Sequence, residues 1–393
     1  LMKDVELGRF LGSGTFPEAI AEFRRRVRDF IEQEISPLVD EAERSRQFPR
    51  EAIAALGRSG LLRERWNGGR HGDLGRSVLL AEEIGYAGLG GVGVGLSLHS
   101  EAATATLRQN ARSDYAKEIL EKALDGEIVC CVATSEQQVG SDLSAVTTEL
   151  KHNGDRCIVR GTKWFVSPGG RADVVLVLCR AEDGPAIAMV TREGLSVVKK
   201  LQTAGMCGLE TVRLTIDSDI PAEAMLVRPG NGLLALTSAL SCERLAVAAL
   251  FLGTAELALT LAVTHLHRRT QFGQPLLSHQ ALRLRVADLR SQVMVTKRGL
   301  YTTVAYMSAR GIVNVAEAAA LKVTATRLCE HVISECMHIF GGRGYTEDET
   351  PFPRLWRDVP SGRLGAGTDE VMWEIVASSM RADDALYDRW ITG

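Results

Sequence analysis

Ile128-Val129-Cys130-Cys131-Val132-Ala133-Thr134 is the first place in this 393-residue chain where helical spacing gives way to a strand-like run. Its apolar and β-branched residues predict a buried strand. Similar short runs, separated by Gly, Asp and Pro, continue as far as Ile216. We therefore expect a β segment in the middle of the chain, built as an antiparallel barrel or sandwich.

Helical periodicity flanks this β segment on both sides. In residues 16–40 the apolar side chains recur at intervals of three or four, which is typical of an amphipathic helix. After Asn231-Gly232 the same periodicity returns in three long stretches, at 233–268, 282–311 and 313–340. The predicted fold class is α+β, with an N-terminal all-α domain (1–127), a middle β domain (128–232) and a C-terminal four-helix bundle (233–393).

Charge and composition exclude several classes of protein. The chain has 46 Lys and Arg against 49 Asp and Glu, so it lacks the basic excess of a protein that binds nucleic acid or an anionic membrane. Its eight Cys form no CxxC pair and lie mostly in apolar runs, which predicts reduced, buried thiols in a cytoplasmic protein, and no metal site.

Residues 1–6 lack the features of a signal peptide. The apolar stretch 245–264 carries Glu256, so we expect a core helix there and not a membrane span.

Gly88-Leu89-Gly90-Gly91-Val92-Gly93 matches the GxGxxG pattern of dinucleotide-binding proteins. In those proteins the pattern follows a strand and opens a helix within a βαβ unit. Here it follows a predicted helix, so we expect a close helix–helix turn instead.

Two polar, Gly-containing segments belong to the β segment. Ser135-Glu136-Gln137-Gln138-Val139-Gly140-Ser141-Asp142 follows the first strand and is rich in hydrogen-bond donors. Gly161-Thr162-Lys163-Trp164-Phe165-Val166-Ser167-Pro168-Gly169-Gly170 combines aromatic side chains, a hydroxyl and a pair of glycines. Each could be an ordinary solvated turn, but such groups also suit a flat ring with a carbonyl edge.

Two further segments interrupt the C-terminal helices. Arg268-Arg269-Thr270-Gln271-Phe272-Gly273-Gln274-Pro275-Leu276, with Gln280 beyond it, places arginine beside a Gly-bearing turn. This arrangement suits a pyrophosphate, and it also suits a plain connection between helices. Met337-His338-Ile339-Phe340-Gly341-Gly342-Arg343-Gly344-Tyr345 ends a long helix in a Gly cluster, either as a helix cap or as a close backbone approach to a ligand.

Taken in this order and spacing, the segments resemble the acyl-CoA dehydrogenase family over about residues 17–380. The resemblance implies FAD-dependent α,β-dehydrogenation of an acyl thioester, in which a carboxylate takes the α-proton and flavin N5 takes the β-hydride. It also implies a homo-oligomer, expected to be a tetramer with FAD between subunits, and an electron acceptor such as an electron-transfer flavoprotein. The acyl group (short, branched or aminoacyl) and its handle (CoA or a carrier protein) stay open.

The resemblance also assigns contacts residue by residue. The loop 135–142 matches the family's (T/S)-E-P-x-A-G-S-D pattern, with Gln137 and Val139 in place of Pro and Ala, and His338 stands where the family usually has Gln. The residues expected to contact FAD are Ser135, Gly140, Ser141, Phe165, Val166, Ser167, Arg269, Gln271, Phe272, Gln280, His338, Gly341, Gly342, Thr368 and Glu370. Those expected to contact the substrate are Ser141, Arg244 and Ala366.

The catalytic base is displaced relative to most of the family. Most members carry it in a Y-E-G-T segment, which here reads Gly365-Ala366-Gly367-Thr368, without the Glu. A subset resembling isovaleryl-CoA dehydrogenase keeps the base on a bundle helix in an L-x-x-E-R-L context, which Leu240-Ser241-Cys242-Glu243-Arg244-Leu245 matches. We therefore expect Glu243 to be the base, with its pKa raised in a dry pocket. The alternative is a helix-start residue without a chemical role.

Two other function classes stay open at this stage. A flavin-dependent monooxygenase on the same fold needs no α-base, and Ala366 leaves room for it, whereas Glu243 and the FAD segments favour a dehydrogenase. A flavin-free scaffold protein would have kept only the fold. The loop over residues 61–69 departs from the family's P-x-x-Y-G-G pattern near the substrate, so an ordinary fatty-acyl substrate does not follow from the resemblance.

Overall fold

The structure is a computed structural model that describes residues 16–391. Residues 1–6, in which we expect no signal peptide, lie outside the described part. The first third of the chain is helical, as predicted. Its helices are α1 (Phe16–Phe30), α2 (Ser36–Ser45), α3 (Arg50–Arg58), α4 (Leu61–Arg65), α5 (Leu74–Tyr86), α6 (Gly90–Ser97), α7 (Thr104–Asn110) and α8 (Asp114–Leu124).

The first helix is less regular than its periodicity predicts. We expected one helix over 16–40, but α1 runs into a π-helical turn, Ile31–Ile35, before α2 continues to Ser45. Pro37 accounts for the irregularity, because proline has no backbone N–H and its ring crowds the carbonyl four residues earlier. A second π-helical turn, Leu98–Ala103, joins α6 to α7.

The middle of the chain forms one sheet of eight strands. They follow the spatial order β6-β7-β3-β2-β4-β5-β8, and β1 also pairs with β4. The strands are β1 (Cys130–Ala133), β2 (Glu149–Asn153), β3 (Arg156–Val166), β4 (Val174–Ala181), β5 (Gly184–Thr191), β6 (Leu195–Lys200), β7 (Val212–Pro221) and β8 (Met225–Val227).

This sheet corrects the expectation of an antiparallel barrel or sandwich. β1 runs parallel to β4, from the pair Cys130–Val174 to the pair Ala133–Val177, and β2 also runs parallel to β4. The described strands therefore form a mixed sheet that does not close into a barrel. Short β-branched runs predict strands but not their partners, and the β2–β3 hairpin separates β1 from β4 along the chain.

Helices return after the sheet, which confirms the α-β-α order. The long helices pack with the shorter α13, which meets α11 through Ala319, Val323 and Met372. The elements are α9 (Gly232–Arg268), the hairpin β9 (Thr270–Gln271) and β10 (Gln274–Pro275), α10 (Gln280–Arg310), α11 (Val315–Ile339), α12 (Phe352–Asp358), α13 (Asp369–Ala377) and α14 (Asp384–Trp390).

The helix α9 is the core helix of the molecule. It is long and apolar enough to cross a membrane, but 67% of its most apolar window is buried inside the protein, as expected for a core helix. An added Cβ on Gly85 of α5 would lie 1.8 Å from the carbonyl oxygen of Leu250, and one on Gly253 would lie 2.1 Å from that of Glu82. The backbones of α5 and α9 are therefore in direct contact, and this contact fixes the helix that carries Glu243.

Two smaller predictions are confirmed as well. All eight cysteines are free, and seven of them are buried. The GxGxxG segment forms the turn between α5 and α6, where Gly88 and Gly90 have left-handed φ angles of 66° and 55°. Because the turn follows the helix α5 directly, and residues 16–87 contain no strand, it does not belong to a dinucleotide-binding βαβ unit.

The substitution Gly85→Ala tests the contact between α5 and α9. The added methyl group has no room, so we expect the free energy of unfolding to fall by about 1–3 kcal/mol. The control is Gly299→Ala on the exposed side of α10, where nothing lies within 4 Å of an added Cβ. Alanine there should stabilise the helix by about 0.5–1 kcal/mol. Urea unfolding of both variants measures the difference, and equal stability would contradict the close contact.

Candidate active site

Glu243 lies on α9 and is only 3% exposed. Within the described chain, its carboxylate accepts no hydrogen bond and forms no ion pair. Burial raises the pKa of Glu243 to about 7, while the positive charges of Arg244 and Lys322 oppose the rise and the charge of Glu101 adds to it. A carboxyl group with this pKa is partly ionised at neutral pH and free to accept a proton.

A turn over residues 364–368 lies against α9 and α11. Arg244 Nε donates a 3.1 Å hydrogen bond to the carbonyl of Ala366, and Lys322 Nζ donates one of 2.7 Å to that of Gly367. Ala366 and Gly367 have left-handed φ angles of 55° and 103°. Among the described residues, no group accepts a hydrogen bond from the backbone N–H of Ala366 or Gly367. The turn thus holds two free donors close to the charges that surround Glu243.

These contacts bring together most of the predicted substrate residues. Arg244 touches Ala366 directly and stands next to Glu243 on α9. Ser141 differs, because it is exposed on the loop after β1 and has no hydrogen bond, ion pair or ring contact with those three in the described chain.

Sequence reasoning missed a polar cluster that begins at Cys242, the neighbour of the predicted base. The Cys242 sulfur lies 3.6 Å from Nδ1 of His71 and 3.8 Å from the amide nitrogen of Gln109. The His71 carbonyl accepts a 2.7 Å hydrogen bond from Arg65, which pairs with Glu101 at 2.7 Å in full burial. The signal for this cluster was the departure of the loop after α4 from the family pattern, which marked the place but not the contacts.

The loop after β1 is held by a second buried carboxylate, Glu136. It accepts 2.8 Å hydrogen bonds from Lys163 Nζ and from the backbone N–H of Thr148. Burial alone would raise the pKa of Glu136, but the hydrogen bonds from Lys163 and the neighbouring threonines outweigh it and hold the pKa at about 2. The backbone N–H of Trp164 donates to the Ser135 carbonyl at 2.8 Å, which places the loop beside the end of β3.

An irregular end of β3 exposes the predicted aromatic residue. Phe165 has a left-handed φ of 56° and is 63% exposed, next to a break in the strand register. Ser167 Oγ lies 2.8 Å from the Thr211 hydroxyl. The Val166 side chain is buried in the core, so only its backbone is available to a ligand.

Most of the remaining predicted cofactor residues form a second group, near the end of α9, the start of α10 and the end of α11. There, the His265 ring stacks on Phe340 with centroids 4.1 Å apart. Phe272 is 93% exposed, and Arg269 forms no ion pair with a described residue. The exposed predicted residues of this group are Arg269, Gln271, Phe272, Gln280, His338, Gly341 and Gly342.

Thr368 and Glu370 stand apart from both groups, at the start of α13. Thr368 caps this helix by accepting a 3.4 Å hydrogen bond from the backbone N–H of Val371, and Glu370 is exposed. In the described residues of this single chain, no hydrogen bond, ion pair or ring contact joins the group at Phe165 and Ser167 to the group at Arg269.

Comparison with known proteins gives a consistent result along the chain. The acyl-CoA dehydrogenase N-terminal, middle and C-terminal domain families match residues 17–127, 131–218 and 230–381. Acyl-[acyl-carrier-protein] dehydrogenase MbtN of Mycobacterium sp. (strain MCS) is 40% identical over 92% of this chain and 94% of its own length. Mitochondrial isovaleryl-CoA dehydrogenase of Pongo abelii is 29% identical over 92% and 88%. The crystal structure of acyl-CoA dehydrogenase from Geobacillus kaustophilus superposes with a TM-score of 0.87 at 28% identity, covering 94% and 100%.

Proposed function

This chain belongs to the acyl-CoA dehydrogenase family of FAD-dependent enzymes, and on that premise we propose that it dehydrogenates an acyl group held as a thioester on a carrier protein. The observation that carries the chemistry is Glu243, a buried carboxyl group with a pKa near 7 and no hydrogen-bonded partner. We choose a carrier protein over CoA because the name of the relative MbtN specifies an acyl carrier protein, and its match spans nearly the whole chain.

The residues assigned to FAD fit a large, flat, anionic group. Phe165 and Phe272 present exposed aromatic faces, and Arg269 has no carboxylate partner among the described residues. An added Cβ on Gly341 or Gly342 would meet nothing within 4 Å, so backbone is open to close approach there. When bound, FAD supplies the acceptor for the hydride that leaves the β-carbon.

The chain's own residues then divide the work on the substrate. Glu243 accepts the proton that leaves the α-carbon. The free backbone N–H groups of Ala366 and Gly367 receive the thioester carbonyl oxygen and stabilise the negative charge that develops on it. Burial of the carboxyl group keeps competing water away from the base. Arg244 fixes the turn through the Ala366 carbonyl, so that base and donors keep their places.

A monooxygenase on this fold is the weaker candidate. It has no need of an α-base, yet this chain maintains a buried carboxylate at the cost of its desolvation. The related proteins compared above are dehydrogenases by name. We therefore propose a dehydrogenase, with an electron-transfer flavoprotein as acceptor. A cytoplasmic location is supported by the eight free cysteines.

The two separate groups of predicted cofactor residues support a homotetramer with FAD between subunits. Within one chain nothing in the described part connects the group at Phe165 to the group at Arg269, so a second subunit would complete each site. The exposed aromatic side chains Phe272 and Tyr345 are surfaces that such a partner would cover.

The substitution Arg269→Gln tests this arrangement. A charge-assisted hydrogen bond contributes about 1.5–3 kcal/mol, so we expect FAD affinity to fall by roughly 10- to 100-fold while the fold is kept. The control is Arg228→Gln, an exposed arginine after β8 that lies outside both groups. Isothermal titration with FAD measures affinity, and light scattering measures the assembly. A monomer that holds one FAD per chain would contradict the proposal.

A panel of matched thioesters tests the handle. The same acyl groups are presented on CoA, on free phosphopantetheine and on a phosphopantetheinylated carrier protein, and flavin bleaching is followed without oxygen. We expect the carrier-bound form to react at least about tenfold faster at limiting concentration, equivalent to about 1.4 kcal/mol of extra recognition. Equal rates with CoA and carrier protein would contradict a carrier-specific enzyme but not a dehydrogenase.

The substitution Glu243→Gln tests the base. It keeps the shape of the side chain but removes the proton acceptor, so flavin reduction by the thioester should slow by at least about 10²-fold. Thioester binding and FAD content should survive, because the carboxylate acts mainly in the transition state. In the wild type, reduction should weaken as the pH falls through about 7, since the protonated carboxyl cannot accept the α-proton.

The double variant Glu243→Gln with Ala366→Glu serves as the companion experiment. It returns a carboxylate to the position used by most of the family, and partial recovery of the rate would support a shared pocket. A Glu243→Gln enzyme that bleaches at the wild-type rate would rule out this residue as the base and would favour the monooxygenase reading.

A further inference from the structure

Lys322 is a fully buried lysine on α11 that none of the roles above uses. Lysine is almost never completely buried unless its charge is compensated, so its position calls for a cause. Its ammonium donates a 2.7 Å hydrogen bond to the Gly367 carbonyl and forms no ion pair with a described residue. The nearest carboxylate after the turn, Asp369, is already paired with Arg363 at 2.7 Å and Arg327 at 3.2 Å.

The hydrogen bond of Lys322 is made to a turn whose backbone conformation is unfavourable. Ala366 is not glycine, yet it has a left-handed backbone, which costs on the order of 1 kcal/mol and persists only where the surroundings enforce it. Two cations from two different helices, Arg244 on α9 and Lys322 on α11, bind the consecutive carbonyls of this turn. The backbone N–H groups of Ala366 and Gly367 are the free donors of the candidate site.

Lys322 also belongs to the charges that face the predicted base. Those around Glu243 are Arg244 on its own helix, Lys322 on α11 and Glu101 on the π-helical turn before α7. Those around Lys322 are Asp369, Arg244, Glu243 and Arg363. Of the two cations that act on Glu243 in the described chain, Arg244 is its neighbour on α9 and Lys322 comes from a separate helix, α11.

We propose that Lys322 is a positioning residue of the active site, which fixes the turn 364–368 from α11 and places a cation among the groups that surround Glu243. The proposal rests on the proposed function for its catalytic meaning. Burial lowers the pKa of Lys322 to about 8, so at neutral pH the side chain is still mostly an ammonium, which favours the ionised form of Glu243 against the cost of burial and the repulsion from Glu101. Removing it leaves Arg244 as the one cation of the described chain that stabilises the ionised form of Glu243, so the pKa of this carboxyl group should rise.

Three substitutions separate the charge of Lys322 from its hydrogen bond. Lys322→Met removes both, Lys322→Gln keeps a donor for the Gly367 carbonyl but removes the charge, and Lys322→Arg keeps both. We expect the Met and Gln enzymes to shift the acid limb of the pH profile for flavin reduction upward by about one pH unit, and the Arg enzyme to stay near wild type. The Met enzyme alone should also lose limiting rate at alkaline pH, because in that variant the Gly367 carbonyl loses its donor and Arg244 alone holds the turn.

A half-buried lysine that forms ion pairs provides the control. Lys297 on α10 pairs with Glu256 at 2.7 Å and Glu82 at 3.0 Å, away from the turn. Lys297→Met should cost stability, because it leaves the buried Glu82 carboxylate with one cation fewer, without moving the acid limb. A merely structural role for Lys322 would make the two Met variants alike.

A measurement without substrate makes the test independent of the enzyme's activity. Infrared titration of the carboxyl C=O stretch, with Glu243→Gln as the blank, reports the pKa of Glu243 directly in the holoenzyme. An upward shift in the Met and Gln variants supports the proposal even where no thioester in the panel reacts. An unchanged pKa in both overturns it, and so does failure of both uncharged variants to fold while Lys322→Arg folds, since Lys322 would then be structural only. Loss of all thioester reactivity in the wild type would instead overturn the proposed function.

Discussion

A buried carboxylate without a hydrogen-bonded partner is the constraint around which this molecule is organised. The contrast with Glu136 shows what the absence of donors does. Both carboxylates are buried, but Glu136 receives donors from Lys163 and Thr148 and has a pKa of about 2, whereas Glu243 receives none and has a pKa of about 7. Satisfied hydrogen bonds make the first a permanent anion that anchors a loop, and desolvation makes the second a group that can exchange a proton near neutral pH.

The placement of Glu243 on α9 puts the proposed proton acceptor on a helix and leaves the proposed carbonyl donors, which are backbone N–H groups, on a turn. The proposed base sits on α9, whose backbone touches α5 directly, so its position is set by a close contact between two helices. The donors sit on a turn whose residues Ala366 and Gly367 need left-handed conformations. A carboxylate side chain at position 366 would place the proton acceptor and the carbonyl donors on the same turn. With Ala366, the turn contributes only its backbone N–H groups.

The sequence predicted the order of the domains because helical periodicity is a local signal, and it led us to propose Glu243 as the base from another local signal, the L-x-x-E-R-L context. In the structure the predicted helix is α9, Gly232–Arg268, and the L-x-x-E-R-L segment lies on it. Strand partners had no such signal, and the parallel pairing of β1 with β4 was therefore missed. The same holds for the contacts of Arg65 and Lys322, because a buried cation is recognised only when the distant group that it compensates is known.

The loop between Arg65 and Asp73 is fixed at its base and exposed at its tip. Its two ends are tied to each other, since the Asp73 N–H donates to the Arg65 carbonyl at 2.8 Å and the Arg65 side chain holds the His71 carbonyl. Residues 67–70 at its tip are exposed. A loop closed at its base and exposed at its tip can change length and composition without disturbing the helices beneath it. A change in this segment can therefore alter what lies at the surface of the fold while α9, with Glu243, keeps its place.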